Sequence, residues 1–526
     1  MFVRRKPNKT GTVSVQVISK HTGKYQVMRS FGVGRTEQDL VRLEEHARQF
    51  IRSQSGFVGE LFGDEDDTRL EDFLCTINNT EIQVIGPELI FGRLYDKIGY
   101  GVIQSELFRH LVVSRLFSPG SKLKTIDYLE RYQGVSYPKD KIYRFLDTLY
   151  QKSDNPLETP STEEKTGIKA TVERITFEHT KRVLRGKISV VFYDMTTLYF
   201  EASDEDDLRK AGFSKDGKHQ CPQIFLGLLT AGGGNPIGYE IFEGNIFEGH
   251  TFIPVLQNVE KKYGLGRPIV VADAGLLSAD NCKALEESGY KYILGARVKS
   301  LKNETKEKIL SFKLKNDQSA AIKQTDGTRL IVSMSDQRAK KDKHNREKGL
   351  ERLKKRIQSG KLTKSSINNR GYNKYLKIEG EVKISIDDEK FLADAAWDGI
   401  KGYFTNTKLS AKKVIENYGN LWYIERAFRM NKTDLRIRPI YHHLRNRIEG
   451  HICICFTAYT VLLEMERMLK QAKSQITVKR AQELTKTMYQ LTYQLPKSRL
   501  TKTKILGMDS QQQELEEIVV RWINRK

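Results

Sequence analysis

Cysteine and long apolar runs are scarce in this chain. Its 526 residues include 5 cysteines, too few for a disulfide framework, so we expect reduced thiols in a cytosolic protein. The longest apolar stretch lies near 452–463 and is shorter than the roughly 20 residues that a membrane-spanning helix needs. No apolar run follows the basic N-terminus, so we expect no secretory signal.

Acidic residues are also in deficit. The chain has 89 Lys and Arg against 66 Asp and Glu, which leaves a formal net charge of +23. An excess of this size favours a polyanionic partner, and nucleic acid is the commonest one. Apolar residues make up 38%, which is enough for packed cores rather than a disordered basic tail. Because one core stops growing at roughly 250–300 residues, we expect about three or four domains.

Patterns along the chain divide it into regions. Alternating residues from Val13 predict a β-hairpin, Thr36 is a predicted helix N-cap, and the acidic stretch 63–67 is a predicted linker. Farther on, Arg115 and Lys122 would suit either a helical DNA-binding module or a solvated basic bundle. The predicted regions are a hairpin plus helix at 1–80, a helical, DNA-binding region at 81–180, a first core segment at 181–298, a basic insertion at 299–405, a last core segment at 406–465 and C-terminal helices at 466–526.

The first core segment shows the clearest alternation of strands and helices. Short apolar, β-branched runs predict buried strands, and helical spacing follows the third and the fourth of them. The predicted strands are 188–193, 223–230, 237–242, 268–272 and 291–298. The order β-β-β-α-β-α-β suits a meander of three strands followed by right-handed parallel crossovers, so we predict an α/β core.

The basic charge is concentrated in the insertion. Residues 338–377 hold 15 Lys or Arg and 3 Asp or Glu, a local net charge of +12. Alternating stretches on either side predict strands, so we expect the insertion to be a partly β subdomain. Its candidate DNA-binding residues are Lys340, Lys341, Arg346, Arg352, Lys354, Lys355 and Arg356.

Two of the predicted strands run into an aspartate. Asp194 follows one apolar run and Asp273 follows another. An aspartate in this position lies at the carboxyl edge of a sheet, where α/β folds bind their ligands. A single such residue usually caps a loop or a helix, whereas two on neighbouring strands can share a metal ion. The pair is therefore a candidate metal site.

A third carboxylate lies on a long predicted helix late in the chain. Tyr418, Glu425 and Lys432 are seven residues apart each time, nearly two helical turns, so they should form one stripe. Arg429 lies on the same stripe, one turn after the glutamate. The plain alternative is an amphipathic helix whose Glu425–Arg429 ion pair is worth well under ~1 kcal/mol. The neighbouring Trp422 is expected to face the core.

These features resemble the DDE transposases of bacterial insertion sequences, in the branch with a Tyr-x2-Arg-x3-Glu-x6-Lys signature. Leucine stands in the arginine position here, so Arg429 could supply that charge. The signature falls on Tyr418, Leu421, Glu425 and Lys432. Other family-like stretches are YDMTTLYFE at 193–201, GFSKDGKHQCPQ at 212–223, IGYEIFEGN at 237–245 and VVADAG at 270–275.

The resemblance implies a ribonuclease-H-like fold with a catalytic triad of Asp194, Asp273 and Glu425. It also implies two Mg²⁺ or Mn²⁺ ions per active site, with Asp194 holding both and the other two carboxylates holding one each. Lys432 would neutralise a phosphate as a point charge. Tyr418 would hydrogen-bond a phosphate or stack on a base.

The implied activity is cut-and-paste transposition, in which the protein binds the element ends, cleaves both strands and joins the 3′ ends to target DNA. Double-stranded DNA is the expected partner, a homodimer would hold two ends, and no membrane is involved. The expected location is the cytoplasm of a bacterium or archaeon, at the nucleoid. One alternative is another ribonuclease-H-like nuclease, against which the insertion and the extra helical regions argue. The other is a non-catalytic DNA-binding protein derived from a transposase, which would have lost a carboxylate.

Overall fold

A computed structural model describes most of the chain. The described residues are 1–8, 11–21, 24–54, 70–71, 73–75, 77–78, 81–149, 167–201, 204–212, 220–246, 251–276, 278–359, 362, 368, 371–379, 383–495 and 498–525. The predicted linker at 63–67 and most of the family-like stretch at 212–223 lie outside them. The chain forms two compact units, which are Met1–Glu81 with Tyr493–Lys502 and Ile82–Thr492 with Thr503–Lys526.

The N-terminal unit is a small antiparallel sheet with one helix. Its elements are β1 (Phe2–Pro7), β2 (Val13–His21), β3 (Lys24–Gly34) and α1 (Glu37–Gln54). The sheet order β1-β2-β3 corrects the predicted two-stranded hairpin. The first strand was missed because FVRRKP carries three successive basic residues and no alternation. Thr36 caps the helix as predicted, since its Oγ1 accepts a hydrogen bond from the N–H of Asp39 at 3.2 Å.

The next part of the chain is mostly helical, as predicted. Its elements are β4 (Ile82–Val84), α2 (Arg93–Ile98), α3 (Glu106–Phe117), α4 (Lys122–Gln133), α5 (Lys139–Leu149) and α6 (Ile168–Val183), with a π-helical turn at Glu88–Gly92 and a 3₁₀ turn at Tyr100–Val102. Serine begins two of these helices. The Oγ of Ser105 accepts from the N–H of Phe108 at 3.2 Å, and the Oγ of Ser121 accepts from the N–H of Lys124 at 3.3 Å.

The predicted α/β core is confirmed. Its elements are β5 (Val190–Tyr199), β6 (Gln223–Ala231), β7 (Pro236–Glu243), α7 (Phe252–Tyr263), β8 (Ile269–Ala272), α8 (Ala279–Glu287) and β9 (Lys291–Ala296). The strands lie in the order β7-β6-β5-β8-β9. Strands β5, β8 and β9 are parallel, and β6 is antiparallel to both of its neighbours. This is the strand order of the ribonuclease-H-like fold.

The insertion is partly β, as predicted; two of its strands form a separate sheet, and its other strands join the core sheet. Its elements are α9 (Asn303–Ser311), β10 (Ser319–Lys323), β11 (Arg329–Met334), α10 (Asp336–Gln358), β12 (Leu376–Glu379), β13 (Lys383–Ile386), α11 (Asp388–Ala395) and β14 (Ile400–Thr405). Strands β12 and β13 form the separate two-stranded sheet. Strands β14, β11 and β10 extend the core sheet beyond β9, each antiparallel to its neighbour, to eight strands. This pairing covers the edge of β9, which would otherwise be open.

Helices and one pair of strands complete the chain. The elements are α12 (Ala411–Gly419), α13 (Trp422–Thr433), α14 (Arg445–Gln471), α15 (Val478–Thr485), β15 (Tyr489–Gln494), β16 (Thr501–Ile505) and α16 (Ser510–Ile523). The two strands correct the prediction of helices alone, and their alternating, β-branched sequences YQLTYQ and TKTKI explain them. Within the described residues, no helix has both the length and the apolarity to cross a membrane.

Side chains of the core strands alternate between two hydrophobic clusters. Tyr193 and Ala272 belong to the cluster that also contains apolar residues of α7 and α8. Phe192 and Val271 belong to the cluster that contains apolar residues of α13 and α14. The sheet is therefore covered on both faces, and the residue after Tyr193 or Ala272 turns toward the face of α13 and α14.

Candidate active site

Asp194 and Asp273 lie on neighbouring parallel strands and on the same face of the sheet. Tyr193 pairs with Ala272 in the ladder between β5 and β8, and each aspartate is the next residue along its strand direction. The alternation of side chains turns both carboxylates toward the face that α13 covers. Because adjacent strands lie roughly 4.8 Å apart, the two side chains start from neighbouring backbone positions.

The two strands differ in where they end. Strand β8 ends at Ala272, so Asp273 follows its strand as predicted. Strand β5 continues to Tyr199 because it keeps pairing with β6, so Asp194 lies within the strand and not after it. The aspartate is located where β5 loses its parallel neighbour, and the site therefore remains at the carboxyl edge of β8.

Backbone amides orient both carboxylates. Oδ1 of Asp194 accepts a hydrogen bond from the N–H of Met195 at 2.8 Å. Oδ1 of Asp273 accepts one from the N–H of Gly275 at 2.7 Å, in the turn after β8. Such local bonds restrict the rotation of a short side chain, so each carboxylate is held close to its own strand.

Glu425 lies in the first turn of α13, which packs on the same sheet face against β5. Ile424 and Phe428 of this helix are buried, whereas Glu425 is exposed. Arg429 is exposed one turn later, and among the described residues neither of these two charged side chains forms an ion pair. The surface pair of the plain alternative is therefore not formed. Lys432 is half-buried, two turns after the glutamate.

The helix that carries the signature is broken, which corrects the prediction of one long helix. Helix α12 ends at Gly419 and α13 begins at Trp422. The backbone tightens between them, since the N–H of Leu421 bonds to the carbonyl of Tyr418 at 3.0 Å, an i→i+3 bond. Leu421 is buried in the core, so it makes an apolar contact at this position of the chain.

Trp422 is 47% exposed, which corrects its expected place in the core. Ile424 fills the core instead, and a residue two positions earlier on a helix points about 200° away. The indole stacks on the ring of Tyr423, with centroids 4.0 Å apart and an interplanar angle of 28°. An exposed aromatic surface therefore lies one turn before Glu425.

Tyr418 lies close to both Asp273 and Glu425. Burial raises the pKa of Tyr418 to about 12, and the negative charges of Asp273 and Glu425 act in the same direction. The hydroxyl thus stays protonated at neutral pH and can donate a hydrogen bond. It fits against Gly295, where a Cβ would come within 2.4 Å of the tyrosine oxygen, so only glycine leaves room for it.

A cavity of about 540 Å³ opens beside Tyr418, between β9, β14 and α10. Lys401 lines it, with its Nζ 5.5 Å from the centre of the Tyr418 ring. Burial lowers the pKa of Lys401, and Arg338 adds to this effect, while Glu425 opposes it. Lys401 could not be singled out from the sequence, because nothing in the sequence indicates that β14 pairs beside β9.

The candidate donors fit Mg²⁺ or Mn²⁺ chemically but are not gathered into one site. All three are carboxylates, the hard oxygen ligands that these ions prefer. Within the described residues, no group of three or more His, Cys, Asp or Glu side chains could hold a metal ion. The structure brings Asp194 and Asp273 to one face and leaves Glu425 on the helix above them, so the expected three-carboxylate metal cluster is not assembled.

Comparison with known proteins identifies the family. A sequence profile described as "Transposase DDE domain" matches residues 185–461, more than half of the chain, and this range includes both aspartates and Glu425. The chain belongs to the DDE transposase family. No curated protein matches it.

Two solved structures show a weak likeness to this transposase. A piggyBac transposase synaptic complex with hairpin DNA has 10% identity and a TM-score of 0.35, over 78% of this chain and 80% of that one. A Mos1 transposase paired-end complex with the left transposon end has 14% identity and a TM-score of 0.15, over 49% of this chain and 70% of that one.

Most of the basic residues singled out in the insertion are exposed on α10 of the transposase. They are Lys340, Lys341, Arg352, Lys354, Lys355 and Arg356. Arg346 differs, because it is 8% exposed. Its Nη2 lies 2.5 Å from Oδ2 of Asp398, and its guanidinium lies 4.8 Å from the centre of the Phe391 ring. Arg346 thus holds α10 against the rest of the insertion, which corrects its assignment to a DNA-contacting surface.

The two basic residues singled out in the helical region are also buried. Arg115 and Lys122 are each 5% exposed. Nη1 of Arg115 donates to the carbonyl of Gly120 at 3.0 Å, in the turn between α3 and α4. Neither side chain lies on an open basic face, so any contact of either with DNA would have to be made within the half-open cavity that both of them line.

Proposed function

We propose that this transposase binds the ends of an insertion sequence, cleaves both strands and joins the 3′ ends to target DNA. The observation that carries the proposal is the matched placement of Asp194 and Asp273 on parallel strands, beneath the helix of Glu425. Two carboxylates on one face of the sheet and a third on the helix that packs against that face suit the binding of divalent cations beside a phosphodiester.

In this proposal Asp194, Asp273 and Glu425 would hold two Mg²⁺ or Mn²⁺ ions. When bound, such ions activate the attacking oxygen and stabilise the leaving oxygen of an in-line displacement. The amide bonds to Asp194 and Asp273 keep these two carboxylates oriented toward the substrate. Tyr418 remains protonated and donates a hydrogen bond to a phosphate oxygen.

Other side chains position the DNA strand. Arg429 and Lys432 lie one and two turns beyond Glu425 and would neutralise neighbouring phosphates. Trp422 offers an exposed ring on which a base could stack. The exposed Lys and Arg of α10 would bind the duplex through its backbone phosphates. Holding two element ends requires two copies of the site, so we propose a homodimer on double-stranded DNA.

A nicking assay tests the proposal. The substrate is a linear duplex carrying the terminal sequences of the element that encodes this chain, incubated with the full-length protein in Mg²⁺. We expect nicks at the element ends, loss of nicking in EDTA, and loss of nicking with Glu425→Gln. Glu416→Gln is the matched control, because Glu416 is exposed on α12 and pairs with Lys413 at 3.0 Å.

Two outcomes would favour the alternatives. Cleavage of four-way junctions or RNA–DNA hybrids, with no preference for element ends, would indicate a different ribonuclease-H-like nuclease. Tight binding to element ends without any nicking in Mg²⁺ or Mn²⁺ would indicate a DNA-binding protein that has lost catalysis.

A further inference from the structure

A cationic cavity of about 570 Å³ lies apart from the carboxylates. It is formed by the start of α4, the segment between α13 and α14, and α14 itself. Its lining includes five Lys or Arg and two His, and among the described residues that line it there is no Asp or Glu. Two of the cations, Arg115 and Lys122, are buried, and buried cations are normally paired with carboxylates, so their place in this lining indicates an anion that binds between them.

Lys122 is the residue of this cavity that most clearly indicates a bound anion. It is 5% exposed, and in the described part of the chain its ammonium has no hydrogen-bond or ion-pair partner. Burial lowers the pKa of Lys122 to about 7, and the charge of Arg115 acts in the same direction. Burying an amine without a partner destabilises a fold, so this lysine serves something other than stability.

The neighbouring groups leave the positive charge uncompensated. Arg115 donates to the carbonyl of Gly120 at 3.0 Å and lies 3.4 Å from Nδ1 of His451. Nε2 of His451 lies 2.9 Å from the carbonyl of Ile437, to which it donates. Burial lowers the pKa of His442 to about 3 and the pKa of His451 well below its usual value, so both rings are neutral at pH 7. The arginine is therefore held by neutral groups, and no described carboxylate of the lining offsets its charge.

We propose that this cavity binds one phosphate group of the DNA substrate. The inference rests on the proposed function for its ligand, but the site itself is separate from the catalytic carboxylates. Phosphate oxygens accept the charge-assisted hydrogen bonds that Lys122 and Arg115 can donate. Ser121 and the N-terminus of α4 line the same cavity, and the dipole of this 12-residue helix favours an anion there.

The position of the cavity indicates which phosphate it would take. Arg438, in its lining, lies 5.5 Å from the ring of Tyr199, at the end of β5. Tyr199 is five residues beyond Asp194, which is about 16 Å at roughly 3.3 Å per residue. A phosphate bound in the cavity is therefore a different one from the phosphate at the cleaved bond. It could be internal to the strand or at a strand end.

The first test measures protection of the Lys122 amine in the full-length protein. Cyanate reacts with unprotonated amines, and mass spectrometry of peptides reads each lysine separately. Lys479, exposed at the start of α15, is the internal control. We expect duplex DNA to slow the labelling of Lys122 at least about fivefold relative to Lys479, as a charge-assisted contact would. The reactivity of Lys122 should be high without DNA, given its lowered pKa.

Three probes distinguish the source of the phosphate. Protection by a duplex with 5′-hydroxyl ends assigns an internal phosphate, and protection only by the 5′-phosphorylated duplex assigns a terminal one. Protection by inorganic phosphate alone, or by none of the probes, would overturn the proposal. The same measurement on Asp194→Asn protein needs no cleavage, so a failure of the catalytic proposal leaves this result unaffected.

A pair of variants provides the second test. Lys122→Met keeps the buried stem and removes the amine, and Lys479→Met removes one exposed charge from a distant helix. We expect Lys122→Met to weaken DNA binding about tenfold, to reduce the slope of log K against log salt by about 0.9, and not to lower the melting temperature. A lower melting temperature with unchanged DNA affinity would make Lys122 a structural residue and overturn the proposal.

Discussion

Helix α10 and the cavity around Lys122 contain the same basic residue types in opposite environments. On α10 most cations are exposed, and some form ordinary surface pairs, such as Arg338 with Asp342 at 3.3 Å. In the cavity, Arg115 and Lys122 are each 5% exposed, and no described carboxylate lines the wall. Exposed charges act through a summed field that salt screens, whereas buried charges act on the one group that fits between them.

The difference shows that the residues behind the net charge of +23 do not all have the same role. Part of the charge should provide salt-sensitive affinity for any duplex, and part should recognise a particular phosphate. The carboxylate face of the sheet differs from both, since in the proposed function it would bind cations before a phosphate approaches. Variants in the three places should therefore change different measured quantities.

The largest effect is expected at the carboxylate face. Asp194→Asn removes the charge of a proposed metal ligand and keeps the shape of the side chain, so nicking in Mg²⁺ should fall roughly 1000-fold or more. Binding to the same duplex should be kept or slightly tighter, because one negative charge near the phosphates is gone. Asp280→Asn is the control, since Asp280 is exposed in the first turn of α8. Equal losses of binding and nicking would show that the two regions are not separable.

The next effect is expected on α10. Lys354 and Lys355 are exposed, so replacing both with alanine should weaken duplex binding roughly tenfold at low salt and reduce the salt slope by about 1.8. Lys302→Ala with Lys308→Ala, two exposed lysines at α9, is the charge-matched control. A salt slope that both double variants share would mean that α10 is a solvated face with no DNA contact.

The buried cation of α10 should contribute more to the stability of the fold than its exposed cations do. Arg346→Met breaks the pair with Asp398 and leaves that carboxylate half-buried, so the free energy of unfolding should fall by about 2 kcal/mol. Arg352→Met, on the exposed side of the same helix, should change it by less than about 0.5 kcal/mol. Urea titrations of both variants measure this difference, and equal stabilities would contradict the structural role of Arg346.

The core of the fold could be predicted because its signals are local. Each strand of the ribonuclease-H-like sheet is a short apolar run, and the chain order limits how such strands can connect. Asp194 and Asp273 were found because they follow such runs. The extension of the sheet by β10, β11 and β14 could not be predicted, since it depends on which distant edge an alternating strand meets.

Burial decided the remaining differences between prediction and structure. The sequence does not distinguish an exposed basic residue of a helix from a buried one. Arg352 is exposed, whereas Arg346 and Lys122 are buried. The same ambiguity affected Trp422, whose periodicity allowed either face until Ile424 and Phe428 filled the core. Periodicity gives the angle between residues on a helix, but the packing partner decides which face is buried.

The smallest effect is expected on the pH dependence of stability, and it tests the environment of Lys122 without DNA. The pKa of Lys122 is about 10.5 in the unfolded chain and about 7 in the folded protein. The charged and titratable groups around it in the folded protein are Arg115, His442, His451 and Cys455. Between these values the unfolded chain binds more protons, so this group makes stability rise with pH, by at most about 1.4 kcal/mol per unit. Below pH 7 both states are protonated and the contribution is flat. Relative to Lys122→Met, the wild type should therefore gain stability from pH 7 to pH 9. Parallel pH profiles for the two proteins would mean that the amine is not held in a desolvated, cationic cavity.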